Sequence, residues 1–397
     1  MPLIKANTPP LKLQLSRNLT REIKRGHAWV YANALRQLPK AAPGSPAILL
    51  DNKGGREIAR GYYDPDSPIA LRVCSTQPGQ ALDEDWAAAQ MARALSLRQT
   101  LFDPQVTNGY RLFNGEGDGL PGLVCDIYNE QAALKSDGPS AAAFWDLNGI
   151  AAWLHERLGI NHVYAQAQRR GAQAGEMLLG ELPNAPASFL ENGVRFTADL
   201  LHGQKTGFFL DQRDNRARIG QLAAGKSVLN MFGYTGGFSV LAGLGGARQV
   251  TTVDQAAPAL QVAEQHWTLN GLPPNQHTTT AADAFDYLNQ AARTWELVIL
   301  DPPSFASSEQ AVPAAHKAYT RLIAAGAQVT APGGILAAAS CSSHIRRADF
   351  LDICQEAISQ ARRSATLLGS YGQPPDHPAP LVMAELRYLK FVLLRLD

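Results

Sequence analysis

The sequence predicts an α/β protein. Its C-terminal half is a doubly wound, mostly parallel sheet, preceded by a small β-barrel and a small α+β region. Three observations predict it. From Ser227 onward, strand-like apolar runs alternate with helical stretches, as in βα units that build a parallel sheet. Residues 3–76 instead hold short strand-like runs broken by turn residues, the pattern of a small barrel. The chain closes on two strand-like runs, Thr366–Ser370 and Arg387–Leu396, joined by a Pro-rich loop, Gln373–Pro380.

Strands are expected at Leu11–Leu15, Ala47–Leu50, Glu57–Tyr62 and Ile69–Cys74, separated by Pro43-Gly44, residues 52–55 and residues 64–68. A linker follows at residues 77–80. Residues 83–103 carry Trp86, Met91, Leu95 and Leu101 at helical steps. Strands are then expected at Tyr110–Asn114, Gly122–Tyr128 and Ala132–Lys135, a helix near Ala141–Leu158, and a strand near His162–Gln168. Asn192-Gly193 has the composition of a hairpin turn. The sheet strands fall at 227–231, 249–254, 277–283, 295–301 and 334–340, with the clearest helix at Pro258–Asn270. Five such units followed by a hairpin resemble the sheet of class I methyltransferases, whose last strand inserts antiparallel. The reading gives three domains, 1–78, 79–190 and 191–397.

At 397 residues the chain is long for one core. Hydrophobic residues are 45% and charged residues 18%, ordinary for an enzyme. No apolar run is long enough for a membrane span, and the start lacks the apolar stretch of a signal peptide. Cys74, Cys125, Cys341 and Cys354 are scattered without metal-type spacing. That pattern points to a reducing cytoplasm and away from disulfides or a metal site. Net charge is only +1, yet residues 1–40 hold Lys5, Lys12, Arg17, Arg21, Lys24, Arg25, Arg36 and Lys40 against Glu22 alone. Such a patch can track phosphates, or be a solvated basic face.

The chemistry gathers at expected strand ends. Residues 230–238 run from a strand through Phe232, Gly233, Tyr234 and Gly236 into a helix. A glycine turn there lets backbone approach a ligand at a helix N-terminus, or is only a tight connection. Asp254 ends the next strand, where a carboxylate can accept from ribose hydroxyls or cap a helix. Asp283 ends the third, placed to meet an adenine edge. Asp301-Pro302-Pro303-Ser304-Phe305 ends the fourth, and its prolines force a turn that aims Asp301. Residues 306–315 are expected to be a loop over substrate. Residues 203–216 suit a loop over a cofactor followed by a helix, with Gln212 and Arg216 facing cofactor and Lys205 facing RNA, or else a turn joining domains.

Cys341 follows the fifth strand, among Ser340, Ser342 and Ser343. A cysteine is most often a small buried hydrophobe. A thiol at the mouth of a methyl-donor site has a narrower use, methylation of a pyrimidine ring carbon. C5 of cytosine is a poor nucleophile until a thiolate adds at C6, and that thiolate needs a depressed pKa.

These motifs resemble the PUA-domain 23S ribosomal RNA cytosine-C5 methyltransferases, the large subunit methyltransferase I family. The resemblance rests on residues 26–31, 60–70, 114–123, 204–216, 301–305 and 340–342, and covers almost the full length. It implies S-adenosylmethionine as cofactor and a target base in 23S ribosomal RNA or a large-subunit assembly intermediate. Cys341 would be the nucleophile. Asp301 would hydrogen-bond the ring, protonated where it meets an unprotonated N3. Asp254 and Asp283 would hold ribose and adenine. Lys12, Arg17, Lys24 and Arg25 would meet RNA, the location would be cytoplasmic, and a homodimer is one assembly open to the chain. Residues 166–177 and 132–139 depart from the family pattern, which bears on the target nucleotide more than on the reaction. A guanine-nitrogen methyltransferase, or an RNA-binding assembly factor without turnover, are the alternatives.

Overall fold

A computed structural model describes residues 1–5, 8–166, 175–203, 205–306 and 308–397. Most of the departing stretch 166–177, and the end of the strand expected at 162–168, fall outside the described residues. The chain forms two compact units. One comprises residues 1–193, 197–210 and 375–384, the other 194–196, 211–374 and 385–397.

The first unit begins with strands β1 (Leu11–Gln14), β2 (Trp29–Tyr31), β3 (Ser45–Leu50), β4 (Glu57–Tyr63) and β5 (Ile69–Ser75) and a short helix α1 (Thr20–Lys24). They form one sheet in the order β1-β3-β4-β5-β2. A bridge between Leu15 and Leu35, just past β1 and β2, joins its two edges, so the sheet closes toward a barrel. Leu13, Val30, Leu49, Ile58 and Leu71 fill its interior. The sequence reading missed α1 and β2, both too short to show a period. Gly61 in β4 packs so tightly that an added Cβ would lie 1.9 Å from the Arg72 carbonyl oxygen.

Helix α2 (Glu84–Leu101) follows, its N-terminus capped by Asp83, which accepts from Trp86 N–H at 3.0 Å. Strands β6 (Gly109–Asn114), β7 (Leu123–Tyr128), β8 (Gln131–Ser136), β9 (His162–Ala165) and β10 (Glu176–Leu179) make a second sheet, with helices α3 (Pro139–Phe144) and α4 (Leu147–Leu158) between β8 and β9. The single helix expected at 141–158 is thus two. The Trp145 indole donates to Pro121 O at 2.9 Å, and Asp146 starts α4 by accepting from the N–H groups of Asn148 and Gly149.

Besides Arg60–Glu57 in β4, further arginine–carboxylate pairs sit within this unit. Arg72 bonds Glu116 at 2.5 Å and Asp137 at 2.8 Å, Arg98 bonds Asp118 at 2.5 Å, and Arg111 bonds Asp126 at 2.7 Å. Glu116 also accepts from the Trp29 indole at 2.7 Å. The Pro-rich tail, expected only to join two strands, contributes residues 375–384 to this unit. Arg98 donates to Asp376 O at 2.8 Å, Asp376 accepts from Arg111 N–H at 3.0 Å, and Asn114 donates to Pro378 O at 2.8 Å. Gly117 is required here, because a Cβ would lie 1.9 Å from Pro378 O. The acidic glycine motif at 114–119 therefore builds structure. Strands β11 (Ala187–Glu191) and β12 (Val194–Ala198) form the expected hairpin, with Asn192 at φ 52° and Gly193 at φ 79°.

The second unit is a seven-stranded sheet. Its strands are β13 (Ser227–Met231), β14 (Gln249–Asp254), β15 (His277–Ala281), β16 (Trp295–Leu300), β17 (Thr330–Ser340), β18 (Ala365–Tyr371) and β19 (Lys390–Leu396). Their order is β15-β14-β13-β16-β17-β19-β18. Strands β13 to β17 pair in parallel, and β19 runs antiparallel between β17 and β18. Helices α5 (Arg213–Leu222), α6 (Gly237–Leu244) and α7 (Ala257–Leu269) cover one face; α8 (Ala284–Gln290), α9 (Val312–Val329) and α10 (Arg347–Gln360) cover the other. Alternation within β16 shows why its run is continuously apolar. Leu297 and Ile299 join the cluster with Phe238 and Trp267, while Val298 and Leu300 join that with Tyr319 and Phe350. The loop expected at 306–315 is shorter than foreseen. Ala306 is buried and its N–H donates to Ser342 Oγ at 3.2 Å, and α9 has begun by Val312.

Candidate functional site

Register brings the predicted residues to one edge of the second unit's sheet. Met231 lies beside Val253 and Leu300, Asp254 beside Ala281, and Leu300 beside Ala338. All these strands are parallel, so Phe232, Asp254, Asp283, Asp301 and Cys341 all follow strand carboxyl ends. Strand order reverses at β13 and β16, and ligands bind α/β sheets outside such a switch point.

The turn after β13 is held in an uncommon conformation. Phe232 has φ 56°, Tyr234 φ 46° and Gly236 φ 76°. Non-glycine residues in this region carry a conformational cost and persist where their surroundings dictate it. Here the surroundings are visible. Gly233 N–H donates to Val253 O at 3.0 Å and Tyr234 N–H to Asp254 Oδ2 at 2.9 Å. Beneath the turn, Asn230 Nδ2 donates to Ser239 Oγ at 2.9 Å, Ser239 meets Thr252 Oγ1 at 2.6 Å, and Thr252 meets His277 Nε2 at 2.7 Å. Burial lowers the His277 pKa to about 4, and its ring stacks on Trp267 at 4.5 Å. The glycines answer to protein packing as well as to any ligand. A Cβ on Gly233 would lie 2.3 Å from the Thr252 methyl, and one on Gly236 2.7 Å from the Ala263 Cβ.

The three aspartates differ in what they already hold. Asp254 accepts from Tyr234 N–H through Oδ2 and from Ala256 N–H through Oδ1, both at 2.9 Å. Each carboxylate oxygen has two lone pairs, so both keep acceptor capacity for a diol. Asp283 caps α8, accepting from the N–H groups of Phe285 and Asp286, and its Oδ2 accepts from Gln255 Nε2 at 2.6 Å. Asp301 Oδ1 accepts from Gln212 Nε2 at 3.0 Å. Gln212, from the turn before α5, is buried, as is Arg216 in the first turns of that helix.

Cys341 is partly exposed, as is Cys74, whereas Cys125 and Cys354 are buried. Burial drives the Cys74 thiol well above its usual range, that of Cys125 likewise, and that of Cys354 up to about 12. Ser342 anchors the corner. Its Oγ lies 3.0 Å from both Ser304 Oγ and Tyr319 Oη, and accepts from Ala306 N–H. The turn after β16 is thereby tied to the turn after β17. Sequence reasoning missed Tyr319 and Lys390, and named Ser342 only as a neighbour of Cys341. Lys390 pairs with Ser340 across β17 and β19, and its Nζ donates to Ser342 O at 2.6 Å and Tyr388 O at 2.8 Å. A lone lysine heading the apolar run 390–396 was the available signal.

The basic residues belong to the first unit. Lys12, Arg17, Lys24 and Arg25 are all exposed. Arg21, Lys24 and Arg25 share one side of α1 and its end, while Ile23 is buried in the barrel core. Lys5 instead donates to Ala142 O and Arg36 to Asn52 O. Lys205, at φ 54°, is exposed and places Nζ over the Phe209 ring, 4.3 Å from its centroid.

Comparison with known proteins bears on both units. Residues 142–392 match the S-adenosylmethionine-dependent methyltransferase family, and residues 13–76 the PUA-like domain. The chain is 39% identical to a ribosomal RNA large subunit methyltransferase of Deinococcus radiodurans, over 99% of each chain. It is 33% identical to the ribosomal RNA large subunit methyltransferase I of Shewanella denitrificans, over 97% of this chain and 99% of that one. A Streptococcus mutans structure described as a SAM-dependent methyltransferase shares the fold at TM-score 0.85 and 24% identity, covering 97% of this chain and all of that one. A second methyltransferase structure, complexed with SAH, superposes at TM-score 0.86 with the same identity and coverage. With a PUA-like domain ahead of a doubly wound sheet whose strand ends carry the turn, the acids and the thiol, the chain belongs to the S-adenosylmethionine-dependent methyltransferases of the ribosomal RNA large subunit methyltransferase I family.

Proposed function

We propose that the protein transfers a methyl group from S-adenosylmethionine to C5 of a cytosine in 23S ribosomal RNA, through a covalent Cys341 adduct at C6. The observation that carries this reading is a partly exposed cysteine at the end of β17, tied through Ser342 and Ser304 to the turn that bears Asp301. The relatives named as ribosomal RNA methyltransferases support the substrate class.

The residues fit the cofactor. Asp254 keeps lone pairs for a ribose diol, Asp283 stands beyond the next strand, and the strained turn at 232–236 leads into the N-terminus of α6. Gln212 and Arg216 complete this set at the start of α5. Bound there, S-adenosylmethionine supplies an electrophilic methyl group. The Cys341 thiolate adds to C6, which makes C5 enamine-like, and C5 takes the methyl group as the bond from the methyl carbon to the sulfonium sulfur breaks and a neutral thioether leaves. Asp301 hydrogen-bonds the ring and stabilises the adduct. Loss of the C5 proton then returns the bonding pair to the ring and expels the thiolate, restoring Cys341. A target within structured RNA is unstacked to reach the thiol. Lys12, Arg17, Lys24, Arg25 and Lys205 contact RNA phosphates.

The test is covalent trapping. RNA with 5-fluorocytosine at the target should form a stable adduct with the wild type, because fluorine cannot leave as the proton does. Cys341→Ser should form none and should not methylate, since a serine hydroxyl ionises far less readily. Substantial methyl transfer by Cys341→Ser would overturn the mechanism, whereas a guanine-nitrogen enzyme would keep its activity.

A further inference from the structure

Lys390 is a buried basic side chain whose charge the packing around it does not require. It is 1% exposed, at the head of a strand whose other inward residues are apolar. Both of its hydrogen bonds go to carbonyl oxygens, and among the described residues no carboxylate forms an ion pair with it. Burying an ammonium without a partner anion is costly. A methionine of similar length would fill the same space without that cost. The position of the head group is specific. Opposite Ser340, and bonded to the carbonyl of Ser342, it brackets Cys341 from both neighbours along the chain.

We propose that Lys390 is a positioning residue for the methyl-transfer reaction, the fixed cation that keeps Cys341 as a thiolate. Two carbonyls orient the ammonium, and the third N–H of the lysine remains for the sulfur. The thiol proton is given to solvent and Lys390 stays protonated, so the pair is a thiolate and an ammonium that partly neutralise each other's burial. The electrostatic environment agrees. Burial lowers the Lys390 pKa to about 8, and the Cys341 charge opposes that fall. The other charged groups facing it are Arg347, which adds to the lowering, and Asp349, which counters it; both lie in the first turn of α10. Tyr319, also near Cys341, has its hydroxyl raised by burial and stays neutral. An ammonium here therefore persists through neutral pH and is lost in the mildly alkaline range.

The proposal rests on the reading of Cys341 as nucleophile for its purpose, but its test does not. Alkylation of Cys341 by iodoacetamide, followed by peptide mass spectrometry across pH, reports the thiolate fraction with no RNA present. Cys125 and Cys354 are buried, and burial also holds the Cys74 thiol high, so they label slowly. In the wild type the midpoint should lie below the ordinary thiol value of about 8.5. In Lys390→Met it should rise by about one pH unit or more, with labelling at pH 7 slowed about tenfold. Lys390→Arg, which keeps the charge, should restore most of the shift. A wild-type midpoint at or above about 8.5 overturns the proposal without any variant, which covers the case of Lys390→Met failing to fold. An unchanged midpoint in Lys390→Met, with normal melting and S-adenosylmethionine binding, overturns it equally. Loss of 5-fluorocytosine trapping alone would instead strike the cytosine-C5 reading, because the alkylation midpoint would still move.

Discussion

Gln212 Nε2 donates to Asp301 Oδ1 at 3.0 Å, and its Oε1 accepts from Asn215 Nδ2 at 2.6 Å. The amide can face only one way, since turning it over would set two donors together and leave Asp301 opposite an oxygen. Gln212 and Asn215 are both buried, so this chain of bonds fixes the orientation of the carboxylate at the end of β16.

Gln212→Leu should therefore slow the reaction as well as weaken cofactor binding, because Gln212 belongs to the proposed cofactor set and also holds Asp301. It removes a donor to Asp301 and leaves Asn215 short of an acceptor. The expected loss is about 1–3 kcal/mol, divided between stability and the methyl-transfer barrier. Single-turnover rates and melting curves compared with those of Gln212→Glu check it. An unchanged rate would detach Asp301 from catalysis.

Asp254→Ala should weaken S-adenosylmethionine binding by roughly 1–3 kcal/mol. The carboxylate accepts from Tyr234 N–H in the strained turn, and in the proposed site it would accept from the ribose as well. Asp254→Asn retains one oxygen and should fall between. Calorimetry that found both variants at wild-type affinity would remove Asp254 from the cofactor site.

Gly236→Ala should be destabilising by about 1–3 kcal/mol. It puts a side chain at φ 76° and a Cβ 2.7 Å from that of Ala263. Denaturant unfolding measures the loss, and a variant as stable as wild type would show that α7 yields freely.

His277 predicts an acid-side loss of stability. Its folded pKa of about 4 lies below the ordinary 6.5, chiefly through burial. Between those values the unfolded chain binds the proton and the folded chain does not. The stabilisation is thus fully present above pH 6.5 and is lost as pH falls toward 4. Its size is on the order of 3 kcal/mol. His277→Gln should flatten the stability profile in that window, as read by urea midpoints at several pH values.

Replacing Lys24 and Arg25 by alanine should reduce the slope of log affinity for RNA against log salt by about one for each lost phosphate contact. Both side chains are exposed beside α1, so folding should be unaffected. An unchanged slope would mean that the basic face is merely solvated.

The sequence alone determined the alternation of strands and helices in the second unit and the residues that stand at its strand ends. Its strands at 227–231 and 249–254 coincide with β13 and β14. Continuous apolar runs and glycine turns are local signals, because each reflects burial and backbone geometry at its own position. Asp254, Asp301 and Cys341 were legible for the same reason, each following such a run. Tertiary structure decided the rest. Asp146 splits a helical period because Trp145 must reach Pro121. The tail at 375–384 joins the first unit because Arg98 and Arg111 bond Asp376, more than 260 residues along the chain. Gln212, Ser342 and Lys390 acquire their parts only when strands distant in sequence pair. Lys390 meets Ser340 solely because β19 runs antiparallel beside β17, and no local pattern encodes which strand a strand will lie against.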